Sequence, residues 1–146
     1  MRIYLDCCCI QRPFDDQKQP RIKVEAEAVL AILAAVQAGD VSLLNSDALE
    51  YEVKRIPNDE RRNEALAILA LGDERLVITE QVENLAQQFE QQGVAPMDAV
   101  HVALASSNQA DYFATCDDRL MRKCGNIALP GCKPMSILDL VREILK

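Results

Sequence analysis

Short apolar runs alternate along the chain with longer stretches of helical periodicity, the pattern of α/β construction around a parallel sheet. Strands are predicted over residues 2–5, 41–45, 76–79 and 112–115, with a weaker fifth over 127–129. Helices are predicted over 23–38, 46–55, 60–71, 80–92 and 96–108, and an amphipathic stretch over 136–145 closes the chain. Gly39, Gly72 and Gly93 stand just past three of these helices, where a C-terminal stop is expected. The longest predicted loop spans 11–21, and no repeat or low-complexity tract interrupts the pattern.

The helix over 96–108 departs from a simple amphipathic design. Its sequence PMDAVHVALASSN is apolar nearly all round from Ala99 to Ala105, so it is expected to be buried, yet it carries Asp98 in its first turn and His101 one turn later. A carboxylate there faces the positive end of the helix dipole, which favours its ionised form. His101, the single histidine, is read as a partly buried structural residue rather than a catalytic base.

With 146 residues, 49% of them apolar, the chain suffices for one good core, and one domain spanning 1–146 is expected. No apolar run approaches the length of a membrane span and the N-terminus lacks a signal-peptide pattern, so a soluble, cytoplasmic protein without membrane association is expected. Reduced cysteines follow from that expectation. Cys7, Cys8 and Cys9 are adjacent, and in an extended strand neighbours point to opposite faces, so they are read as small packing residues rather than zinc ligands. The net charge of -7 argues against a basic protein that coats nucleic acid, but not against a nuclease whose carboxylates hold cations.

Parallel α/β sheets collect functional groups at the carboxyl ends of their strands. Asp6 ends the first strand, Ser46 and the acidic helix DALEYE follow the second, and TCDDR follows the fourth. Clustered carboxylates raise one another's pKa unless a cation sits among them, and hard oxygen ligands suit Mg²⁺ or Mn²⁺. Within SDALEYEVKRI, Leu49, Val53 and Ile56 define the buried stripe. At 3.6 residues per turn Glu52 lies about 60° from Leu49 while Glu50 lies about 100° away, which makes Glu52 the better inward acid. Within TCDD, Asp117 is favoured as a ligand and Asp118 is read as the cap or first residue of the next helix and a secondary ligand. A phospho-acceptor domain would need an aspartate ending the third strand, where the sequence reads VITEQ.

Four segments, IYLDCCC, SDALEYE, APMDAVHVALA and DYFATCDDRL, occur in an order and context that resemble the PIN domain, the metal-dependent nuclease fold found in VapC-like toxins of toxin–antitoxin modules. The resemblance implies Asp6, Glu52, Asp98 and Asp117 as catalytic, metal-binding acids, with Thr115 orienting the last by a hydroxyl hydrogen bond. It further implies Mg²⁺ or Mn²⁺, an RNA substrate, a homodimer and a small antitoxin protein as partner. Many relatives carry a hydroxyl or amide two residues after the first aspartate, where this chain has Cys8, a weaker hydrogen-bond donor.

Arg12 lies close behind the Asp6 strand end and is read two ways, as a phosphate contact or as a tie to Asp15 or Asp16. Lys54, Arg55, Arg61, Arg62, Arg119, Arg122 and Lys123 are read mainly as solvated helix surface. Spare apolar positions in 23–38 and 60–71 suit a dimer interface. The expectation is therefore a single three-layer α/β PIN-like domain acting as a divalent-metal-dependent endoribonuclease. The alternatives are an RNA-processing or DNA nuclease without an antitoxin, and a catalytically silent nucleic-acid-binding module.

Overall fold

The computed structural model describes residues 1–146. Five strands form one sheet, β1 (Arg2–Leu5), β2 (Ser42–Ser46), β3 (Glu74–Leu76), β4 (Tyr112–Thr115) and β5 (Lys133–Ser136), in the order β3-β2-β1-β4-β5 and parallel throughout. Eight helices connect and flank them: α1 (Cys7–Gln11), α2 (Pro20–Gln37), α3 (Asp47–Lys54), α4 (Asp59–Leu69), α5 (Glu80–Gln91), α6 (Pro96–Ser107), α7 (Asp118–Cys124) and α8 (Ile137–Ile144). The chain steps outward from β1 to β2 and β3, then returns to β4 on the other side of β1. Right-handed crossovers therefore put the two sets of connecting helices on opposite faces of the sheet. Helix α8 returns to pack on α2, and α5 packs along α6.

That reversal makes a topological switch point between β1 and β4, and a crevice opens there beyond their carboxyl ends. The register Leu5↔Ala114 brings Asp6 and Thr115 to its floor together.

The two central strands form where expected because they are buried on both faces and read as apolar runs: Ile3, Tyr4, Leu5 and Phe113 are fully buried. The edges differ from the expectation. The third strand is Glu74–Leu76 rather than 76–79, because it pairs with the C-terminal half of β2 while Thr79 is engaged as the cap of α5. The fifth is Lys133–Ser136 rather than 127–129, and it contains Pro134, which is tolerated at an edge because one side of the strand makes no ladder. Gly39 (φ 81°) and Gly93 (φ 99°) adopt the left-handed conformation of a helix stop, whereas Gly72 does not. Gly72 instead passes under β2, where an added Cβ would stand 3.1 Å from the Leu43 carbonyl.

The run of cysteines is the largest local departure. It is helical, not extended, because Asp6 at φ -60° and ψ 154° acts as an N-cap and its side chain accepts from the Cys7 N–H. The predicted loop over 11–21 likewise contains a 3-10 turn, Arg12–Phe14, ahead of α2. No helix is long and apolar enough to cross a membrane.

Phe113 is wholly enclosed between the sheet and its flanking helices. Phe113→Ala is expected to cost about 3–5 kcal/mol of stability, read as a lowered denaturant midpoint with an unchanged slope.

Candidate active site

Asp6 is 5% exposed and its two oxygens have different partners. Oδ1 accepts from the Cys7 N–H at 2.8 Å, and Oδ2 accepts from the Thr115 hydroxyl at 2.9 Å and from the Cys8 thiol at 3.4 Å. Having donated its proton to Asp6, the Thr115 hydroxyl accepts from the Asp117 N–H at 3.1 Å. Thr115 thus orients the carboxylate of Asp6 and the backbone of Asp117, not the Asp117 carboxylate. Burial, followed by neighbouring Cys8, pushes the Asp6 carboxyl up to about 7 in spite of the Thr115 bond.

Asp98 and Asp117 line one cleft of about 230 Å³, with Arg119 and Lys123 at its rim. Asp98 sits in the first turn of α6 after Pro96. Desolvation, then the charges of Asp6 and Asp117, raise it to about 6. The dipole alone would have lowered it, so burial and like charge prevail. Asp117 is the N-cap of α7, and its Oδ1 accepts from the N–H groups of Arg119 and Leu120. No ion pair involves Asp6, Asp98 or Asp117, although most of the other acids that face arginine are paired.

Glu52 and Glu50 diverge as the helical wheel implies. Glu50 accepts from Asn45 and from Arg75, which also pairs with Asp47. Glu52 turns toward α6 and pairs with His101 Nε2. His101 is fully buried, more so than expected, and its Nδ1 meets the Tyr4 hydroxyl at 2.6 Å, which in turn meets Ser46 Oγ at 2.7 Å. Burial opposes the charged imidazole, but Glu52, Asp6 and Asp98 outweigh it and hold His101 above its ordinary value. The result is a continuous polar line, Glu52–His101–Tyr4–Ser46, running through the core to the cap of α3.

Two other candidates are engaged elsewhere. Arg12 donates to Glu25 Oε1 at 3.1 Å and to Asp15 Oδ2 at 3.1 Å, which places it in a tie rather than over the cleft. Asp118 is the first residue of α7 and receives both arms of Arg21 at 2.8 Å, outside the cleft that Asp117 lines.

The donor set suits a hard divalent cation. Asp98 feels the charges of Asp6 and Asp117, burial helps to hold Asp6 and Asp98 above the ordinary carboxylate range, and no basic side chain is paired with the three. Their oxygens do not close on one another as tightly as three thiols nearby, Cys8, Cys9 and Cys116, whose sulfurs all lie within 4.8 Å.

The PIN domain model matches residues 3–126 of the chain. The chain belongs to the PIN domain family. PIN domains are nucleases that generally use divalent metals. In structure this PIN domain is similar to VapBC2 from Rickettsia felis bound to a DNA fragment from their promoter, at 14% identity and TM-score 0.55 over 93% of this chain and 98% of that one. It is also similar to DNA-bound VapBC from Salmonella typhimurium, at 15% identity and TM-score 0.58 over 94% and 98% of the two chains. A third similar structure is PAE2754 from Pyrobaculum aerophilum, at 12% identity and TM-score 0.56 over 99% and 98%. At such identities the likeness is one of fold. No curated protein matches the sequence.

Sequence reasoning passed over Tyr4, which looks like one more apolar strand residue in RIYL, and underweighted Arg119 and Lys123, which reach the cleft. A buried histidine on an apolar helix was the one signal that a polar partner must lie across the core.

Because Asp6 and Asp98 titrate above the ordinary carboxylate range, their contribution to stability is intact below about pH 4 and lost as pH rises through about 6 and about 7. Metal-free protein in chelator is therefore expected to lose thermal stability between about pH 4 and about pH 7. Asp98→Asn should flatten that slope and raise the melting temperature at the alkaline end. An equal slope in wild type and Asp98→Asn would contradict the electrostatic account of the cleft.

Proposed function

We propose that this PIN domain is a divalent-metal-dependent endoribonuclease and the toxin of a toxin–antitoxin module. The observation that carries the proposal is the trio of mutually repelling, unpaired carboxylates, Asp6, Asp98 and Asp117, at the sheet's switch point in a chain of a nuclease family. When bound, Mg²⁺ or Mn²⁺ supplies an activated water and offsets the charge that grows on the phosphoryl oxygens.

Asp6, Asp98 and Asp117 would hold the ion, directly or through water. Thr115 and the Cys7 N–H fix the Asp6 carboxylate, so its orientation needs no adjustment on binding. Glu52 is held by His101 through one oxygen, Oε1, and would offer the other to the ion or to the attacking water. Arg119 and Lys123 stand where a phosphate entering the cleft would meet them. Cys8 donates to Asp6 and lies 3.3 Å from the Thr115 hydroxyl, which gives the thiol a supporting place at the site.

Support for an antitoxin partner comes from two of the similar structures, which are VapBC complexes. A homodimer is supported by the apolar groove that Leu30, Leu33 and Ala34 of α2 line with Ala67 and Ile68 of α4 and Leu71 just past it. Leu30 is 55% exposed in the single chain, and Leu30→Glu is expected to shift the protein to monomer in sedimentation analysis.

Purified protein is expected to cut single-stranded RNA internally with Mn²⁺ or Mg²⁺ and to stop with chelator. Asp98→Asn and Asp117→Asn should each lower the rate by about a hundred-fold or more, and Thr115→Ala by about 10–100-fold, the usual cost of losing a group that orients a metal ligand. Metal-dependent cleavage that survived Asp98→Asn would end this reading.

A further inference from the structure

The acids are not the chain's tightest set of ligand atoms. Cys8, Cys9 and Cys116 bring three sulfurs within 4.8 Å of one another, with Cys9 and Cys116 Sγ only 3.6 Å apart. Two local events produce the cluster. Asp6 caps α1 and turns the cysteine run into a helical turn, and β4 delivers Cys116 alongside it one residue past Thr115. All six cysteines are free thiols, so none of the three is consumed in a disulfide.

The spacing has a chemical meaning. A metal–thiolate bond of about 2.3 Å sets the sulfurs of a trigonal ion about 4.0 Å apart, within the range these thiols already occupy. A fourth soft ligand is missing: His101 is committed to Glu52 and Tyr4, and Cys7 Sγ is bonded to Gln11. Cys9 is completely buried and Cys116 is 6% exposed, which leaves little access for the water that would complete a tetrahedral zinc shell. Thiolate ligands without oxygen or nitrogen select soft ions, and Cu(I) accepts three-fold sulfur coordination.

We propose that Cys8, Cys9 and Cys116 form a three-sulfur site for a soft monovalent ion, Cu(I), adjoining the carboxylate site. Each thiol that binds releases its proton to solvent. Two guanidiniums lie on the Cys116 side, Arg12 by its charge and Arg21 by a 3.4 Å bond to the Cys116 carbonyl, and they offset the excess negative charge of the thiolates. Cys8 is the shared element. Its thiol donates to Asp6 and lies 3.3 Å from the Thr115 hydroxyl, so giving up its proton to the ion removes the bond to Asp6 and couples soft-metal occupancy to the acid site.

The test measures metal binding without RNA, so its result is independent of whether the chain cleaves RNA. Reduced, metal-free protein is titrated with Cu(I) under anaerobic conditions against a chromogenic Cu(I) chelator. Uptake of one equivalent is expected, with sulfur-to-copper charge-transfer absorption and three sulfur scatterers at about 2.3 Å in X-ray absorption spectra. Cys9→Ser and Cys116→Ser should each weaken binding at least about ten-fold, roughly 1.4 kcal/mol, while Cys124→Ser and Cys132→Ser leave it unchanged. Failure to compete with the chelator, unchanged uptake without Cys9 and Cys116, or a shell of oxygen and nitrogen would each overturn the proposal. The spectra of the wild-type protein decide the matter even if a cysteine variant fails to fold.

Discussion

The hydrogen bond from Thr115 to Asp6 joins the ends of the two central strands and fixes what every other part of the site is measured against. Thr115 is fully buried, so its hydroxyl must find partners within the protein. It donates to the Asp6 carboxylate and accepts from the Asp117 N–H, and by doing both it sets a side chain from β1 and the start of α7 in one frame. The adjacency of β1 and β4 is a property of the strand order, and the order itself is a consequence of short right-handed connections. The polar bond is therefore laid over an arrangement that the apolar strands already enforce.

A second polar line runs at right angles to this purpose. Glu52, His101, Tyr4 and Ser46 connect α3, α6 and β1 through the interior. Each member is satisfied, which keeps the line compatible with a packed core. Its effect is to hold the Glu52 carboxylate against α6 in a single orientation. The sole histidine thereby becomes a positioning group, with both ring nitrogens occupied by partners from the protein.

The central strands and the buried helix were legible because burial on every side leaves an unbroken apolar run, as in RIYL, YFAT and AVHVALA. The edge strands were not: ERL and KPMS bury one residue each, and so little apolar content cannot be told from a loop. The choice between Glu50 and Glu52 could be approached on a helical wheel because both belong to one regular element. Arg12 could not be assigned that way. Its partner Glu25 is buried on the next helix, and nothing local distinguishes that tie from a phosphate contact. Least visible was the meeting of Cys9 with Cys116, which depends on a strand pairing and on a cap that turns three cysteines from extended to helical.

Arginine ties close one flank of the switch-point crevice. Glu25, buried on α2, receives Arg12 and Arg21, and Arg21 continues to Asp118 at the start of α7. The other flank, between the starts of α6 and α7, holds the cleft that Asp98 and Asp117 line, and its volume of about 230 Å³ is below the usual size of a pocket for a free small molecule. Such a shape gives little purchase to a single nucleotide. For a nuclease of this family, a site that small leaves the grip on a substrate to contacts outside the cleft, along the length of a polymer.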